Sequence, residues 1–309
     1  MNPTVTLPQL PLHEWEETKM TLHLILQIIG KVRLKMTPRK NHWWYITQYV
    51  SPMGITTSAI PYNNGLNSFE VILNIHKKRV EIQTSTGEEK LIYLEDGKSV
   101  AQFYKTFVAA LKELGIEPNI VDKPFDLGIE KRFAEITEYR HFDWAYIGKF
   151  WKIMLWIDGV MNEFSGRFYG KTCPVQLYWH HLDLAVTRFL GKKGPALDPN
   201  ARISDKDAYS HEVISFGFWA GDDKVKEPAF YSYTYPSPEG IDQEKLEPST
   251  AAWVDSNGSP MAFLSFANLL KEEDPRAALL RFFESAYVAG ATLAGWDMEE
   301  LKAVDLEEL

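Results

Sequence analysis

The sequence has one cysteine, no surplus of basic residues and no long apolar run. A single cysteine among 309 residues excludes a disulfide framework and a zinc site built from several cysteines. Acidic residues number 42 and basic residues 33, so the net charge is −9, whereas proteins that bind nucleic-acid phosphates normally carry a basic surplus. We therefore expect no nucleic-acid partner.

Signals for export or membrane insertion are also missing. Residues 1–12 are rich in proline and lack the charged and apolar regions of a secretory signal. Residues 277–296 are long enough to span a membrane, but they contain Arg281 and Glu284. Together with the lone cysteine, these absences predict a cytoplasmic protein that does not enter a membrane. No pattern in the sequence specifies a cofactor or an oligomeric state.

Aromatic residues are abundant, at 13% of the chain, and hydrophobic residues make up 45%. Disordered chains lack such residues, so the bulk of the chain is predicted to fold around a core. The core signals fall into two successive sets, in residues 1–128 and residues 129–309, which we take as two halves that could pack as one globular unit.

The first half reads as a helix, a set of short strands and a second helix. An apolar stripe from Trp15 to Ile29 predicts the first helix, ending near Gly30. Ser99 and Gln102 form a capping-box pattern at the start of the closing helix, which ends at Gly115. Turn residues separate the strand-like runs between these helices. These runs cover residues 43–50, 55–60, 69–75, 80–84 and 91–94.

The second half repeats this order. Asp143 can cap a helix that extends to Phe164, and Asp274-Pro275 is the pattern of a helix start. Residues 191–206 are predicted to form a long loop, of the kind that often serves a site. The strand-like runs cover residues 175–179, 184–189, 209–219, 229–235 and a hairpin at 251–263.

Strands bracketed by helices and joined by short turns indicate an α+β fold with antiparallel sheets. We predict two similar halves, each an antiparallel meander of about five strands flanked by two helices.

Two motifs resemble catalytic signatures but fail on spacing and context. Residues 166–172 resemble a phosphate-binding loop, yet three residues instead of four separate Gly166 and Gly170, and the segment follows a helix and opens a strand. His211-Glu212 begins like a zinc-protease helix, but the second histidine is missing and the segment reads as a strand.

The histidines leave a metal site open without favouring it. His180 and His181 precede Asp183, but neighbours on a regular strand point to opposite faces. A site that combines His42, His181 and His211 is conceivable, and imidazole suits zinc, copper, iron or nickel. We favour histidines that form structural hydrogen bonds or line a pocket, and predict no metal.

Alternation of aromatic and polar residues is the most informative pattern. Residues 209–219 place His211, Ser215 and Trp219 on one face and Glu212 with apolar residues on the other. Tyr231 and Tyr233 share a face of the next strand. Aromatic walls with a few polar groups are typical of ligand pockets. The alternative is that the tyrosine rings simply cover the sheet, with their hydroxyls reaching water.

Several motifs in this order are similar to those of a bacterial family of uncharacterised proteins, catalogued as a domain of unknown function. The resemblance covers nearly the whole chain but implies no activity, since the family carries none that could be transferred. It rests on the motifs Asn41-His42-Trp43-Trp44, Asp183-Leu184-Ala185-Val186-Thr187-Arg188-Phe189 and Tyr209-Ser210-His211-Glu212.

Two functions remain open. The first is small-molecule binding or enzymatic activity in an aromatic pocket of the second half, with His211 and Glu212 as catalytic candidates, since histidine titrates near neutral pH. The candidate ligand-binding residues are His42, His181, Asp183, Arg188, Trp219, Tyr231 and Tyr233. The second function is a non-catalytic protein–protein interaction module.

The candidate pocket makes two geometric predictions. His211 should be partly buried beside at least one of Tyr231, Tyr233 and Trp219. If Glu212 is instead buried, it needs a partner, because an unpaired buried carboxylate is costly. Arg188 or His181 is the expected partner, and Arg188 is otherwise expected to hold an anionic group.

Overall fold

The computed structural model describes residues 6–304. Its strands and helices fall in separate runs, as expected for an α+β chain. The helices are α1 (Glu16–Met36), α2 (Val100–Glu113), α3 (Trp144–Gly166), α4 (Ile203–Ala208), α5 (Phe266–Leu269) and α6 (Pro275–Leu293). The first six strands are β1 (Tyr49–Ser51), β2 (Gly54–Thr56), β3 (Ile60–Tyr62), β4 (Asn67–Asn74), β5 (Arg79–Thr84) and β6 (Glu89–Tyr93). The others are β7 (Lys171–Thr172), β8 (Gln176–Tyr178), β9 (Asp183–Lys193), β10 (His211–Trp219), β11 (Ala229–Tyr235), β12 (Ala252–Ser256) and β13 (Ser259–Ser265).

The strands form two antiparallel sheets, of six and seven strands, which confirms the α+β prediction. The first sheet has the order β1-β2-β4-β5-β6, with β3 paired to β4. The second has the order β12-β13-β11-β10-β9-β7 along its main path. Here β13, and not β12, pairs with β11, so the second sheet is not a simple meander and the two sheets are not copies of one strand order.

The chain divides into two compact units. Among the described residues, unit 1 contains residues 6–40, 44–155 and 177–182, and unit 2 contains residues 41–43, 156–176 and 183–304. The division passes through α3, between Leu155 and Trp156. Among the described residues, none of the helices combines the length and the apolar character that a membrane crossing requires.

In unit 1, α1 continues past the glycine at which it was expected to end. Gly30 lies in mid-helix, and a Cβ there would lie 2.3 Å from the indole ring of Trp179. The glycine therefore permits a close contact with that indole, and the helix runs on to Met36. At α2 the capping box of Ser99 and Gln102 is present as predicted.

The segment before β1 also differs from the prediction. A strand was expected over residues 43–50, but only Tyr49–Ser51 is extended. His42 and Trp43 instead adopt left-handed backbone conformations, with φ of 56° and 61°. Such positions are uncommon for residues other than glycine, and no local propensity signals them.

In unit 2, one face of the sheet packs against helices. Phe216 of β10 contacts Phe164 of α3 and Phe283 of α6, with ring centroids 4.7 and 5.8 Å apart. Phe230 of β11 lies 6.2 Å from Phe283. Asp274 caps α6 through its side chain and Pro275 occupies its first turn, as the sequence predicts. The aromatic core therefore lies on this face. The other face carries polar and tyrosine side chains together with the buried Phe189 and Val213.

Candidate functional site

The register of β9, β10 and β11 places alternate residues on the face opposite the core. Thr187 pairs with Ser215, and Ser215 pairs with Tyr233. Paired residues of antiparallel strands point to the same side. We call this side the polar face of unit 2. It carries Asp183, Ala185, Thr187, Phe189, Val213, Ser215, Gly217, Trp219, Tyr231, Tyr233 and Tyr235.

Tyr231 lies flat across the polar face. Its hydroxyl donates a hydrogen bond of 2.6 Å to Oδ2 of Asp183. To reach that carboxylate, the ring passes over Gly217, where a Cβ would lie 2.2 Å from the tyrosine Cζ. The ring of Trp219 is 5.4 Å away, and the ring of Tyr233 is nearly parallel, with a 9° angle between planes. The three strands thus build an ordered aromatic layer with a carboxylate at one end.

The layer continues through a second set of tyrosines. The Tyr209 hydroxyl donates to that of Tyr233 at 3.4 Å, and the ring of Tyr209 lies 4.9 Å from that of Tyr235. Beneath them the hydroxyls of Thr187 and Ser215 are 3.3 Å apart. Burial raises the pKa of Tyr233 well above 10, so its hydroxyl stays protonated.

At the other end of the polar face, Lys171 of β7 contacts His42, and His42 in turn lies beside His211. The Lys171 Nζ atom is 2.7 Å from Nε2 of His42. His42 also donates from Nδ1 to the Asp207 carbonyl at 3.1 Å, and its ring lies 4.4 Å from that of Phe189. The ring of His211, at the start of β10, is 5.4 Å from that of His42. We call Lys171, His42 and His211 the basic cluster.

Burial lowers the pKa of two members of this cluster, Lys171 and His42. The pKa of Lys171 is lowered by burial. Burial is also the main reason for the lowered pKa of His42, with the nearby Lys171 charge second. A neutral His42 within hydrogen-bond distance of the Lys171 amine is placed to exchange a proton with it.

The loop before β10 holds the cluster in place. Residues 191–206 are not wholly irregular, since β9 extends to Lys193 and α4 begins at Ile203. The α4 segment supplies the carbonyl of Asp207 to His42 and that of Ser204 to the indole N–H of Trp43, at 2.8 Å. The left-handed turn at His42 and Trp43 is therefore fixed by two hydrogen bonds.

The structure brings several predicted site residues together and corrects others. His211 is partly buried, as expected, but its ring partner is His42, not Tyr231, Tyr233 or Trp219. Glu212 is 7% exposed and pairs with Lys192 at 2.8 Å, so the expectation that Arg188 or His181 is its partner is wrong. Lys192 follows a register shift between β9 and β10, which the sequence does not reveal.

Arg188 lies on the core face, away from the carboxylate of Asp183. It is 1% exposed, with its guanidinium 3.6 Å from the centre of the Phe164 ring and 4.3 Å from that of Tyr287. Glu284 is 4.0 Å away. Burial lowers the pKa of Arg188 to about 10. These contacts make it a core cation held by aromatic rings.

His181 belongs to unit 1, where it lies beside other histidines. Its Nε2 is 3.4 Å from Oδ2 of Asp126, and its ring is 4.7 Å from that of His180. His23 of α1 donates to the carbonyls of Trp179 and His180 at 3.0 and 3.1 Å. Within residues 6–304 these side chains do not form a group of three or more metal-ligating residues.

A surface groove of about 520 Å³ lies elsewhere in unit 1, between β6 and α2. Apolar side chains, including Leu91 and Phe103, line much of it, and Lys98 and Lys105 lie at its rim. None of the candidate site residues named from the sequence lines this groove.

Comparison with known proteins gives a family but no activity. A family model described as a family of unknown function, DUF5996, matches residues 7–303. The chain belongs to this family. No curated protein and no solved structure matches the chain. The DUF5996 match spans both units and confirms the resemblance to a family of unknown function.

Sequence reasoning missed Lys171 for an identifiable reason. The residue lies in the segment that resembles a phosphate-binding loop, and the rejection of that motif removed the lysine from consideration. The rejection agrees with the structure, since α3 ends at Gly166 and β7 begins at Lys171. Only the fold places this lysine beside His42, which is 129 residues earlier in the chain.

Proposed function

We propose that unit 2 binds a small molecule on its polar face, and that this molecule has a flat ring and an anionic group. The observation that carries the proposal is the continuity of the face. The tyrosine layer and the basic cluster share β9, with Thr187 and Phe189 only two residues apart, or about 7 Å. A small molecule that spans this distance would reach both.

The chemistry of each end favours a different part of the ligand. Offset stacking or edge contacts with tyrosine and tryptophan suit a flat ring. The basic cluster suits a carboxylate or phosphate. Among the described residues, the buried indole N–H of Trp219 has no hydrogen-bond partner, and an oxygen of the ligand would satisfy it.

A thermal-shift panel tests this function. The panel contains aromatic carboxylates and nucleoside monophosphates, the same rings without the anion, and anions without a ring. We expect only molecules with both parts to raise the Tm, because a ligand that binds the folded state stabilises it in proportion to its affinity.

Variants with matched controls locate the site. Lys171→Met and Trp219→Phe should each reduce the shift, whereas Lys152→Met and Trp253→Phe, the same changes outside the polar face, should leave it unchanged. A panel without any binder, or a full shift retained in Lys171→Met, would refute the proposal.

The alternative function is a non-catalytic interaction module. The observation that favours it is the groove beside β6, a strand at the edge of the first sheet on which Leu91 and Tyr93 are 38% and 52% exposed. Edge strands accept an added strand from an extended peptide. Failure of the whole ligand panel would make this function the better one.

A further inference from the structure

Lys171, His42 and the Asp207 carbonyl form a chain of hydrogen bonds on the polar face. The amine nitrogen of Lys171 lies 2.7 Å from Nε2 of His42, and Nδ1 of His42 lies 3.1 Å from the carbonyl oxygen. The three groups come from β7, the left-handed turn before β1, and the end of α4. Three separate segments are thus needed to assemble it.

The hydrogen bonds fix the proton positions. A carbonyl oxygen can only accept, so Nδ1 of His42 carries the ring proton. Its Nε2 then presents a lone pair to the N–H groups of Lys171. An imidazole held in this tautomer by a third group is the usual arrangement for activating a nucleophile.

The surroundings of the amine are partly apolar. The Phe189 ring centre lies 5.0 Å from Nζ of Lys171 and forms an apolar wall. Two titratable residues lie beside His42: His211, whose ring is 5.4 Å from that of His42, and Asp207, whose carbonyl bonds to Nδ1 of His42. The Ser210 hydroxyl and Nδ1 of His211 are hydrogen-bonded to each other at 3.1 Å.

We infer that Lys171 is a nucleophile that forms an imine with the carbonyl carbon of an aldehyde or ketone, with His42 as its base. The inference rests on the proposed function, because the carbonyl compound must lie on the polar face. It adds a chemical class to that ligand: a ring-bearing anion that also carries a carbonyl group.

The step balances without another reactant. His42 Nε2 takes a proton from the Lys171 ammonium, and the neutral amine attacks the carbonyl carbon to form a C–N bond. After proton transfer within the adduct, the new hydroxyl receives the proton back from His42 and leaves as water. The product is a C=N bond between Lys171 and the ligand.

Reductive trapping of the full chain tests the inference. The probe is 4-formylbenzoate, which has a ring, a carboxylate and an aldehyde. Cyanoborohydride reduces any imine to a stable secondary amine, and peptide mass spectrometry gives the labelling rate of each lysine. We expect Lys171 to react faster than the exposed Lys152, and terephthalate, which lacks the aldehyde, to compete.

The role of His42 is tested by substitution. His42→Gln should slow labelling of Lys171 by about 100-fold, the order of magnitude of a positioned base. Labelling of Lys152 in the same sample should not change, and circular dichroism shows whether the variant is folded. If the variant does not fold, the labelling rates of Lys171 and Lys152 in the unchanged chain still show whether Lys171 reacts selectively.

The outcomes separate the two proposals. If Lys171 reacts no faster than Lys152 while terephthalate raises the Tm, the inference is wrong and the binding function stands. If Lys171 is labelled selectively but no other ring-bearing anion binds, the inference stands and the wider binding function fails. Equal labelling of the two lysines in a folded protein overturns the inference in every case.

Discussion

His23 and His180 of unit 1 are held in their neutral forms. Burial is the main cause that lowers the pKa of His23 to about 4 and that of His180 to about 3. Lys19 and the neighbouring histidines lower these values further, while Asp126 acts in the opposite direction on His180. The folded state therefore resists protonation at both side chains.

This resistance predicts acid destabilisation. The unfolded chain binds protons at these histidines below about pH 6.5, and the folded chain does so only near pH 4 and 3. Stability is full above pH 6.5 and falls between pH 6.5 and 5 by about 1.4 kcal/mol per pH unit for each histidine. Urea unfolding across this range measures the slope.

A glutamine variant shows how much of this pH dependence of stability comes from His23. His23→Gln keeps an N–H donor but cannot be protonated, so the slope should fall, whereas His13→Gln on the exposed side chain should leave it unchanged. An identical slope in His23→Gln and the original chain would contradict the assignment.

Among the elements, α1 contains a position, Gly30, at which helix propensity and side-chain packing predict opposite effects of the same substitution. Alanine favours helix more than glycine by about 1 kcal/mol, so Gly30→Ala would stabilise an isolated helix. In unit 1 the new Cβ would lie 2.3 Å from Trp179, whose indole N–H is hydrogen-bonded to the Ile46 carbonyl. We expect a net destabilisation of about 1–3 kcal/mol from overpacking.

The matched control is Gly148→Ala in α3. A Cβ at Gly148 meets no atom within 4 Å. The same substitution there should stabilise the protein slightly or leave it unchanged. Chemical denaturation gives the free energy of unfolding of both variants. If Gly30→Ala is as stable as Gly148→Ala, the indole of Trp179 moves aside without a measurable loss of stability.

Local patterns predicted some elements because their causes are local. The caps at Ser99 and Asp274 depend on residues three positions away, and both are present. The alternation in residues 213–219 and 229–235 likewise gave the correct faces, whereas a register shift separates His211 from Val213. What local patterns could not give was tertiary pairing. The contact of Lys171 with His42, the pairing of Glu212 with Lys192 and the left-handed turn at His42 all depend on distant segments.

At the scale of the whole molecule, neither unit is a continuous stretch of chain. Residues 177–182 belong to unit 1, and Gln48 and Leu177 exchange two backbone hydrogen bonds there, of 3.0 and 2.8 Å. Trp179, which is 2% exposed, fills the space beside Gly30. Unit 1 therefore receives part of its core from a segment that lies after α3.

We expect a chain that stops at residue 155 to lose cooperative unfolding. Removing a buried tryptophan alone costs about 3–5 kcal/mol, a large part of a typical stability of about 5–15 kcal/mol. Urea titration of this fragment followed by circular dichroism is the measurement. A peptide covering residues 172–184 should partly restore the transition, and a sharp transition without the peptide would disprove the expectation.

The return of residues 177–182 to unit 1 also bears on synthesis in the cell. Domains usually fold in order as the nascent chain leaves the ribosome. Here unit 1 is incomplete until residue 182 has emerged. We therefore expect α1 and α2 to keep apolar surface exposed to solvent while α3 is translated. Chaperone contact should therefore concentrate on this interval of translation and end soon after Trp179 leaves the exit tunnel.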